Sequence, residues 1–590
     1  MPTASTTGTW AGRHRQRRGR GAVSLPVCAA ALAALLLRLC LPPVVSASQV
    51  YNDVTSQMGI SVPGLGSGTA WSDLDADGDQ DLLVSDSDLP NAHTYLYRND
   101  GGIFTNVFAS SGLVSEARNF ALGDYDNDGL DDVVMISFGY VETRLFRNLG
   151  AMRFQDVSTS AGIHGTYSWR CAWTDYDDDG WLDLYLCGST SFLFRNRGDG
   201  TFEERAAAAG VQAGGRSCAW FDYDNDGRED CYVGRDGTNR LYYNRGDGTF
   251  VDVAAAAGVN DPNRTSGVCA GDFDGDGFFD LYCVNISSPR NTLYRNSGDG
   301  TFEDVTAPAG VGDVGDGRTG TFLDLDYDGL VDIFSSNHVN DNRLYRNNAD
   351  GTFTDVAPSL RLTDPMDPFG TGFADFDNDG DLDVFLATHF GNRLLRCEGM
   401  ENHWIQLRLV GTLSNRNAIG AVVRCTAGGR TAVLRVDGGH GMGDTDSPPL
   451  EFGLGAAGGP VEVEISWPSG LVEVHADLTA DRQVVLEEGA SASAPEEQTP
   501  PAGGLAILGL GPNPAADYSI LRLRSSRTDK SAMRIVVVDP GGRSVWSGTV
   551  EPGGETTRVT LSLRGLPAGS YFVGVSAAHE TAGARLAVVR

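Results

Sequence analysis

The sequence predicts an all-β protein, and a repeated acidic pattern with the runs that follow it supports that prediction. The nine-residue pattern Asp-x-Asp-x-Asp-Gly-x-x-Asp occurs seven times between residues 73 and 383, at steps of 47 to 52 residues. Each copy leads into a short apolar run, such as Asp81-Leu-Leu-Val or Asp183-Leu-Tyr-Leu. Runs of this length, rich in Val, Leu and Tyr, are typical of buried strands. The acidic loops are therefore expected to join strands.

The spacing of the acids within each copy predicts metal binding. Positions 1, 3 and 5 of a tight loop can direct three carboxylates at one point, Gly at position 6 permits the turn, and positions 7 and 9 complete a cage of oxygens. Four carboxylates packed together without a cation would repel one another strongly, which disfavours plain acidic turns. We expect about seven Ca²⁺ sites, with the ligands Asp73, Asp75, Asp77, Asp79 and Asp81; Asp124, Asp126, Asp128, Leu130 and Asp132; Asp175, Asp177, Asp179, Trp181 and Asp183; Asp222, Asp224, Asp226, Arg228 and Asp230; Asp272, Asp274, Asp276, Phe278 and Asp280; Asp324, Asp326, Asp328, Leu330 and Asp332; and Asp375, Asp377, Asp379, Asp381 and Asp383.

These loops differ from the EF-hand, which is their nearest relative in spacing. An EF-hand requires a bidentate Glu at position 12 and a helix on each side. Position 12 of the first copy is Val84, and the flanking runs read as strands. The sequence therefore predicts calcium loops inside a β-structure.

Other phrases repeat in step with the acidic loops. A segment of the type Phe154-Gln-Asp-Val precedes most loops, and a segment of the type Leu145-Phe-Arg-Asn follows most of them. A Gly-Asp-Gly turn often joins the two, as expected for a β-hairpin. Four short strands in a repeat of about 50 residues are the signature of a propeller blade. The last such segment, Leu394-Leu-Arg-Cys397, lacks a partner after it, and Tyr51-Asn-Asp-Val lacks one before it, so we expect these two to pair and close a ring.

Residues 50–397, through these phrases, resemble the FG-GAP/VCBS propeller repeats, whose integrin members carry similar calcium loops. The resemblance implies a seven-bladed calcium-binding β-propeller over residues 48–398. Two Arg-Gly-Asp triplets, at residues 197–199 and 245–247, would suit cell adhesion. Both fall in the repeated hairpin turn, where another copy reads Ser297-Gly-Asp, so ordinary turn chemistry is the favoured explanation.

Composition and the N-terminal segment indicate an exported, acidic protein. The 590 residues carry a formal charge of −33, and residues 1–47 contain six Arg and no acid, so their removal would leave −39. A nucleic-acid partner is not expected, because backbone affinity requires a basic face. The basic patch at 13–20, the apolar stretch at 22–41 and the small residues at 45–47 predict a secretory signal peptide over residues 1–47. No transmembrane segment is expected once it is removed, although a single membrane anchor is the alternative.

Eight cysteines remain outside this segment, and an exported protein with an even count can form disulfides. Cys171 and Cys187 lie symmetrically about the third loop, and Cys269 and Cys283 lie symmetrically about the fifth. We predict these two pairs as disulfides. Cys218 and Cys231 break the symmetry, and three such pairs cannot share one geometry because side chains alternate faces along a strand.

Residues 399–489 form a different region. Alternating stretches such as Val461-Glu-Val-Glu-Ile predict a small β domain with one solvated face. The motifs at 402–411, 414–421, 438–441, 452–455 and 465–470 resemble the ASPIC/UnbV family, some members of which are encoded in enediyne antibiotic clusters. His403 and His440 are candidate functional residues, although a single His in a β domain is more often structural.

The C-terminal region begins after a flexible linker at 490–504, rich in Ala, Ser, Pro and Glu. Segments at 511–514, 535–545 and 566–572 resemble C-terminal sorting domains of type IX secretion. That resemblance implies an Ig-like β-sandwich over residues 505–590 and a secreted or bacterial cell-surface protein that contacts a secretion machinery. The usual Lys-rich final strand is replaced here by Ala582-Gly-Ala-Arg-Leu-Ala-Val-Val-Arg590, which leaves the export route open.

The leading functional hypothesis is a non-catalytic, calcium-stabilised binding or adhesion protein for an extracellular glycan or protein ligand. The first alternative is a polysaccharide lyase, which would need a basic group to abstract a proton next to a uronate. Lys530 is the only Lys and lies far from the repeats, and the acidic balance would repel anionic sugars. The second alternative is an accessory protein of natural-product assembly, by resemblance to the enediyne clusters.

Overall fold

A computed structural model describes residues 49–61, 66–86, 93–115, 117–136, 141–286, 290–338, 340–363, 368–439, 444–445, 449–456 and 458–490, and then the strands between residues 505 and 588. The predicted signal peptide at 1–47, most of the predicted linker at 490–504, and His440 lie outside the described residues. Apart from six one-turn helices, every regular element in the described part of the chain is a β-strand.

The region from residue 50 to 398 supplies seven sheets with four strands each, numbered here by their loops, and the first sheet gains a fifth strand from a later part of the chain. In each of the first six sheets, the loop joins the first strand to the second, and a short hairpin joins the third strand to the fourth. The strands are β2 Gly66–Ser72, β3 Asp81–Asp86, β4 His93–Asp100 and β5 Ile103–Asn106; β6 Asn119–Gly123, β7 Asp132–Ile136, β8 Arg144–Asn148 and β9 Phe154–Asp156; β10 Ser168–Thr174, β11 Asp183–Gly188, β12 Phe192–Asn196 and β13 Phe202–Glu204; β14 Ser217–Phe221, β15 Asp230–Arg235, β16 Gly237–Asn244 and β17 Phe250–Asp252; β18 Thr265–Gly271, β19 Asp280–Asn285, β20 Thr292–Asn296 and β21 Phe302–Asp304; and β22 Asp316–Leu323, β23 Asp332–His338, β24 Arg343–Asn347 and β25 Phe353–Asp355.

The seventh sheet takes its fourth strand from the start of the chain. It contains β26 Pro368–Ala374, β27 Asp383–Thr388 and β28 Arg393–Glu398, with β1 Val50–Asp53 antiparallel to β28. Tyr51 pairs with Cys397 and Asp53 pairs with Leu395. The predicted pairing of the two leftover segments is therefore confirmed.

The first strands of the sheets lie side by side in cyclic order, which gives a propeller-like arrangement. Each of β2, β6, β10, β14, β18 and β22 contacts the first strand of the next sheet, and β26 contacts β2. Large side chains of one sheet occupy space left by glycines of its neighbour: a Cβ on Gly123 would stand 2.8 Å from Trp173, and one on Gly372 would stand 2.8 Å from Trp71. The apolar core thus lies between the sheets, where Trp71 and Trp173 are fully buried.

A single helical turn follows the fourth strand in each of the first six sheets, and the sequence did not predict it. The helices are α1 Phe108–Ser111, α2 Ser158–Ala161, α3 Ala206–Ala209, α4 Ala254–Ala257, α5 Thr306–Ala309 and α6 Ala357–Leu360. Five of them end at a Gly in the left-handed conformation, which accounts for the repeated glycine at residues 112, 162, 210, 258 and 310. None of the helices in the described part of the chain is long and apolar enough to cross a membrane.

The region after residue 400 forms two further sheets, in agreement with the predicted β domain. One sheet has the order β33-β29-β36 and the other β31-β30-β34-β35. A two-residue strand, β32, instead pairs in parallel with β2 of the first repeat sheet. These strands are β29 His403–Val410, β30 Val422–Ala427, β31 Arg430–Arg435, β32 Asp444–Thr445, β33 Leu450–Gly455, β34 Val461–Ser466, β35 Val472–Leu478 and β36 Arg482–Glu487.

The C-terminal region also contains two antiparallel sheets. Their orders are β37-β38-β41 and β40-β39-β42-β43. The strands are β37 Leu505–Gly511, β38 Tyr518–Ser525, β39 Met533–Val538, β40 Ser544–Val550, β41 Thr556–Ser562, β42 Gly569–Ala577 and β43 Glu580–Val588.

The structure corrects both predicted disulfides, since Cys171, Cys187, Cys269 and Cys283 are buried free thiols. Cys171 faces Leu186 across the ladder, one residue from Cys187, so the two side chains point to opposite faces of their sheet. Cys269 faces Tyr282 in the same way. In the third sheet, Thr174, the residue before the first Asp of the loop, pairs with Asp183, the ninth residue of the loop. Two residues at equal distances from the two ends of the loop, such as Cys171 and Cys187, are therefore offset by one residue and do not face each other.

We expect all four of these thiols to be unreactive in the folded protein and fully reactive in denaturant. Burial raises the pKa of the Cys171 and Cys283 thiols, which suppresses the nucleophilic thiolate. Alkylation with iodoacetamide before and after unfolding, followed by mass spectrometry of non-reduced peptides, measures this. A peptide joining Cys171 to Cys187, or Cys269 to Cys283, would contradict the structure.

Candidate metal centres

The backbone of the acidic loops shares one feature in all seven copies. Positions 4 and 6 both have positive φ, as at Asn127 with φ 56° and Gly129 with φ 96°. Gly at position 6 was predicted for this reason, but position 4 is not restricted to Gly and includes Ala76 and Tyr327. A non-Gly residue in the left-handed region is uncommon and signals a loop whose shape is set by its function.

Backbone amides hold the first and ninth carboxylates of each loop in place. In the second loop, the N–H groups of Asp128 and Gly129 donate to Asp124, at 2.9 and 2.7 Å. The N–H groups of Tyr125 and Asn148 donate to Asp132, at 3.2 and 2.7 Å. Both carboxylates are therefore oriented by the fold before any ligand binds.

These carboxylates converge with the third-position Asp. In each of the first four loops, oxygens of positions 1, 3 and 9 lie within 4.8 Å of one another, as in the groups Asp73, Asp75 and Asp81 and Asp175, Asp177 and Asp183. In the fifth loop the corresponding group is Asp272, Asp274 and Asp276. The predicted participation of position 5 elsewhere, and of the position-7 carbonyls, stays a prediction.

The third-position carboxylates supply an independent sign of a cation. In six of the seven loops one of their oxygens is buried and accepts no hydrogen bond from the described residues: Asp75, Asp126, Asp177, Asp224, Asp326 and Asp377. A buried acceptor without a partner is costly, and repetition in six loops argues against accident. An all-oxygen site with one orphaned lone pair fits Ca²⁺.

The electrostatics of the loops lead to the same conclusion. Burial, together with neighbouring carboxylates, raises the pKa of Asp81 to about 8 and that of Asp230 to about 8, despite the backbone hydrogen bonds that oppose the shift. Burial raises the pKa of Asp132 well above its usual range as well. The charged form of each cage is therefore unfavourable by itself, and a divalent cation would offset this cost.

An arginine from the third strand of several sheets also reaches the acidic loop, a contact that was not among the predictions from the sequence. Arg147 contacts Asp126 at 2.7 Å and Asp128 at 2.9 Å. Arg195 contacts Asp177 and Asp179 in the third loop at 2.5 and 2.7 Å. The signal was available as the repeated Arg of the Leu-x-Arg-Asn phrase.

The Asn of the same phrase connects each loop to the loop of the preceding sheet. The Asn196 side-chain amide donates to Leu182 O in its own loop and to Tyr125 O in the previous one, at 3.0 and 2.9 Å. Asn99 of the first sheet donates to Phe376 O of the seventh at 2.7 Å, so the chain of contacts is cyclic. The seventh sheet has Cys397 in place of the Asn, and there Gln49 supplies the amide, donating to Leu325 O at 3.0 Å.

The domain at 400–490 contacts all seven acidic loops. Its residues meet the loops through hydrogen bonds, ion pairs or close packing, in loop order Arg408 with Asp73, Asn417 with Asp124, Asn415 with Asp175, Arg435 with Glu229, Arg424 with Gly277, Gly453 with Asp324, and Gln406 with Asp375. The Arg435–Glu229 pair is buried at 2.8 Å, and Thr174 donates to the same carboxylate. The domain therefore covers the loop end of the repeat sheets.

Of the two predicted histidines the structure describes only His403, which pairs within its own domain. His403 Nδ1 lies 2.8 Å from Asp481 in an exposed pair within its own domain. His440 lies outside the described residues. The structure thus gives no support to a catalytic role for His403.

Three family models match the chain. FG-GAP-like repeats match residues 73–135, 124–186, 175–233, 222–283, 273–335 and 324–386, which together cover more than half of the sequence. The ASPIC and UnbV model matches residues 411–493, and a secretion system C-terminal sorting domain matches residues 510–589. The sorting domain indicates secretion to the cell surface or the extracellular space.

The chain is also similar to curated proteins and to solved structures. Cartilage acidic protein 1 of Mus musculus is 27% identical over 430 residues, which are 69% of this chain and 57% of the mouse protein. The Homo sapiens protein is 36% identical over 140 residues, 22% of this chain and 21% of its own length. The chain thus spans little more than half the length of the mouse relative. A lectin structure from Agrocybe aegerita, described as recognising non-reducing terminal N-acetylglucosamine, aligns with 57% of this chain and 86% of its own at 19% identity and a TM-score of 0.34.

Proposed function

Because the chain belongs to the FG-GAP-like repeat family, we propose that it is a secreted or cell-surface, calcium-stabilised binding protein for a glycan or protein ligand. The observation that carries this proposal is the orphaned carboxylate oxygen of the third-position Asp, repeated in six loops. Seven cations would stabilise seven blades of one ring, whose closure is supported by the β1–β28 pairing. The two C-terminal sheets fit an Ig-like sandwich that carries the secretion signal.

The proposed role of the metal is structural. When bound, Ca²⁺ would supply charge neutralisation to carboxylates that are already oriented by backbone amides. Asp124 and Asp132 would hold it from the two ends of the second loop, and the orphaned oxygen of Asp126 would point at it. Because the domain at 400–490 covers these loops, a macromolecular ligand would meet the protein elsewhere.

The proposed function is non-catalytic. In the proposed arrangement each patterned acid of the repeats would serve a cation cage, so none would be left as a dedicated general acid or base. A rigid ring with loops at both ends is instead suited to binding.

A glycan-array and cell-surface binding screen of the mature chain tests this proposal. We expect saturable binding at millimolar Ca²⁺ that is lost in chelator, because the loops would no longer hold the sheets together. The matched control is the Asp156→Asn variant, whose carboxylate pairs with Arg144 outside the cages and should not affect binding. Degradation of a polysaccharide, abolished by replacing one residue outside the cages, would overturn the non-catalytic assignment.

A further inference from the structure

The sixth acidic loop differs from the other six at its fourth position. In those six loops the fourth residue is exposed or half-buried: Ala76, Asn127, Asp178, Asn225, Gly275 and Asn378. In the sixth loop it is Tyr327, which is fully buried and has a φ of 54°, in the left-handed region. A bulky residue in that region is strained, so surrounding contacts must hold it there. The domain at 400–490 supplies those contacts.

The backbone of the sixth loop accepts hydrogen bonds from three separate segments of this domain. The consecutive carbonyls at 326–328 accept, in order, from Asn402 Nδ2 at 2.7 Å, Gly455 N at 2.8 Å and Arg430 Nη1 at 2.7 Å. Three adjacent carbonyls can meet three fixed donors only if the loop keeps one backbone conformation. The domain therefore recognises the shape of this loop.

Strand β33 of the domain lies directly against the same loop. The Tyr327 hydroxyl donates to Glu451 at 2.6 Å. Gly453 approaches so closely that a Cβ there would stand 2.1 Å from Asp324 Oδ2 and 2.3 Å from Tyr327 Cα. A side chain at residue 453 would thus force the two surfaces apart. The domain contacts both the first-position carboxylate of the cage and the buried fourth residue.

The first loop gives a comparison within the same ring. The sixth-position glycine is exposed in the first loop, at Gly78, but is buried in the sixth loop, at Gly329. The domain meets the first loop through Arg408, whose guanidinium lies 3.5 Å from Asp73. A flexible side chain at that distance restrains a loop less than three hydrogen bonds to consecutive carbonyls do. The seven cages are therefore not equivalent in their contact with the domain.

The loop shape that the domain contacts depends on the charge of the cage. Four patterned carboxylates flank Tyr327 along the chain. Arg346 pairs with Asp326 and Asp328, at 2.5 and 3.2 Å, and so offsets only part of their charge. Without a cation, the remaining repulsion favours a more open loop. An open loop no longer presents its three carbonyls to the fixed donors of the domain.

We infer that the sixth loop is a calcium-dependent latch, by which we mean that a cation in this one cage holds the domain at 400–490 on the ring. The seated domain in turn raises the calcium affinity of this cage, because its donors fix the loop in the loaded shape beforehand. The two effects are equal by thermodynamic reciprocity. This inference rests on the calcium sites of the proposed function and adds a regulated contact between two domains.

Hydroxyl-radical footprinting of the mature chain, read by mass spectrometry below the melting transition, tests the latch. Tyr327 can be oxidised only after the domain has moved away, and Tyr282, fully buried between repeat sheets, reports unfolding of the ring. Both chelator and the Asp326→Asn variant at millimolar Ca²⁺ are expected to raise Tyr327 oxidation about 5- to 150-fold, the range of typical coupling free energies, with Tyr282 protected. The comparison variant Asp75→Asn, changed at the same position of the first loop, should also lose one ion but leave Tyr327 protected.

The variant Gly453→Ala tests the latch from the side of the domain and keeps every acid of the repeats. We expect it to expose Tyr327 in calcium and to weaken the binding of one ion by the same factor, measured by competition with a chromophoric chelator. Val472→Ala is the matched control, since Val472 is 57% exposed in the same domain and should behave as the parent does. If oxidation of Tyr282 shows that Asp326→Asn is unfolded, Gly453→Ala decides the result.

The other outcomes separate the latch from the proposed function. Equal oxidation of Tyr327 in calcium and in chelator would overturn the latch and leave the structural calcium sites in place. Equal exposure in Asp75→Asn and Asp326→Asn would also overturn it, because seating would then depend on the ring as a whole. Exposure of Tyr327 in Gly453→Ala with unchanged calcium affinity would contradict the coupling. A negative glycan and cell-surface screen, with Tyr327 still protected only in calcium, would overturn the binding function and support the latch.

Discussion

Chelation of calcium is expected to lower the melting temperature of the mature protein by roughly 15 °C. If free calcium exceeds the dissociation constant about twentyfold, each site contributes about 1.8 kcal/mol by linkage. Seven such sites sum to roughly 12 kcal/mol over the repeats, which is comparable to the whole stability of a typical domain. The effect is large because each site holds together strands of one sheet and, through the Asn contacts, the loop of its neighbour.

Differential scanning calorimetry in calcium and in chelator measures this shift, and metal analysis counts the ions. The variant Asp132→Asn should lose about one ion per chain, because it keeps the shape of the ninth-position ligand but removes its charge. Asp156→Asn, outside the cages, should keep all of them. Fewer than five calcium ions per chain at millimolar calcium, or equal melting temperatures in the two conditions, would show that the loops are not calcium sites.

The features that could be predicted from the sequence are those that depend on residues within one repeat. The register of the acids, the strands after them and the hairpin between Asn196 and Phe202 depend on neighbours along the chain, and the structure contains all three. The leftover segments at Tyr51 and Leu395 were predictable for a related reason, because a cyclic repeat leaves one unpaired edge at each end.

Contacts between repeats were not predictable in the same way. The hydrogen bond from Asn196 to Tyr125 spans 71 residues, and its repetition in the sequence shows that the Asn matters but not what it touches. Gln49 takes over this role in the seventh sheet without any motif of its own. The disulfide predictions were wrong by a single residue. They assumed that residues at equal distances from the two ends of a loop face each other, whereas the strands pair with an offset of one residue.

The covering of the loops by the domain at 400–490 also lay beyond sequence reasoning. Arg408, Asn415 and Arg435 come from separate segments of that domain, and each meets a different sheet. No local pattern distinguishes these residues from ordinary polar surface.

Deletion of residues 48–60 is expected to destabilise the repeat sheets and to produce oligomers. The segment contributes β1 and buries Tyr51, Val54 and Ile60 to 3% exposure or less. Loss of three such side chains corresponds to about 5–9 kcal/mol of apolar burial. It also removes Gln49, whose side-chain amide donates to Leu325 O of the sixth sheet and to Cys397 Sγ of the seventh. The edge of β28 would then be exposed and free to pair with another chain.

Size-exclusion chromatography with light scattering, together with thermal melts, measures the effect of this deletion. The double variant Tyr51→Ala, Val54→Ala should reproduce the loss of stability with less association, because the backbone of β1 can still pair with β28. Ser56→Ala is the matched control, since Ser56 is exposed in the same segment and should melt as the parent does. Chelation should lower the melting temperature of the deletion variant further, because the cages and β1 stabilise the sheets through different contacts. A deletion variant that stays monomeric with an unchanged melting temperature would show that β1 does not close the ring.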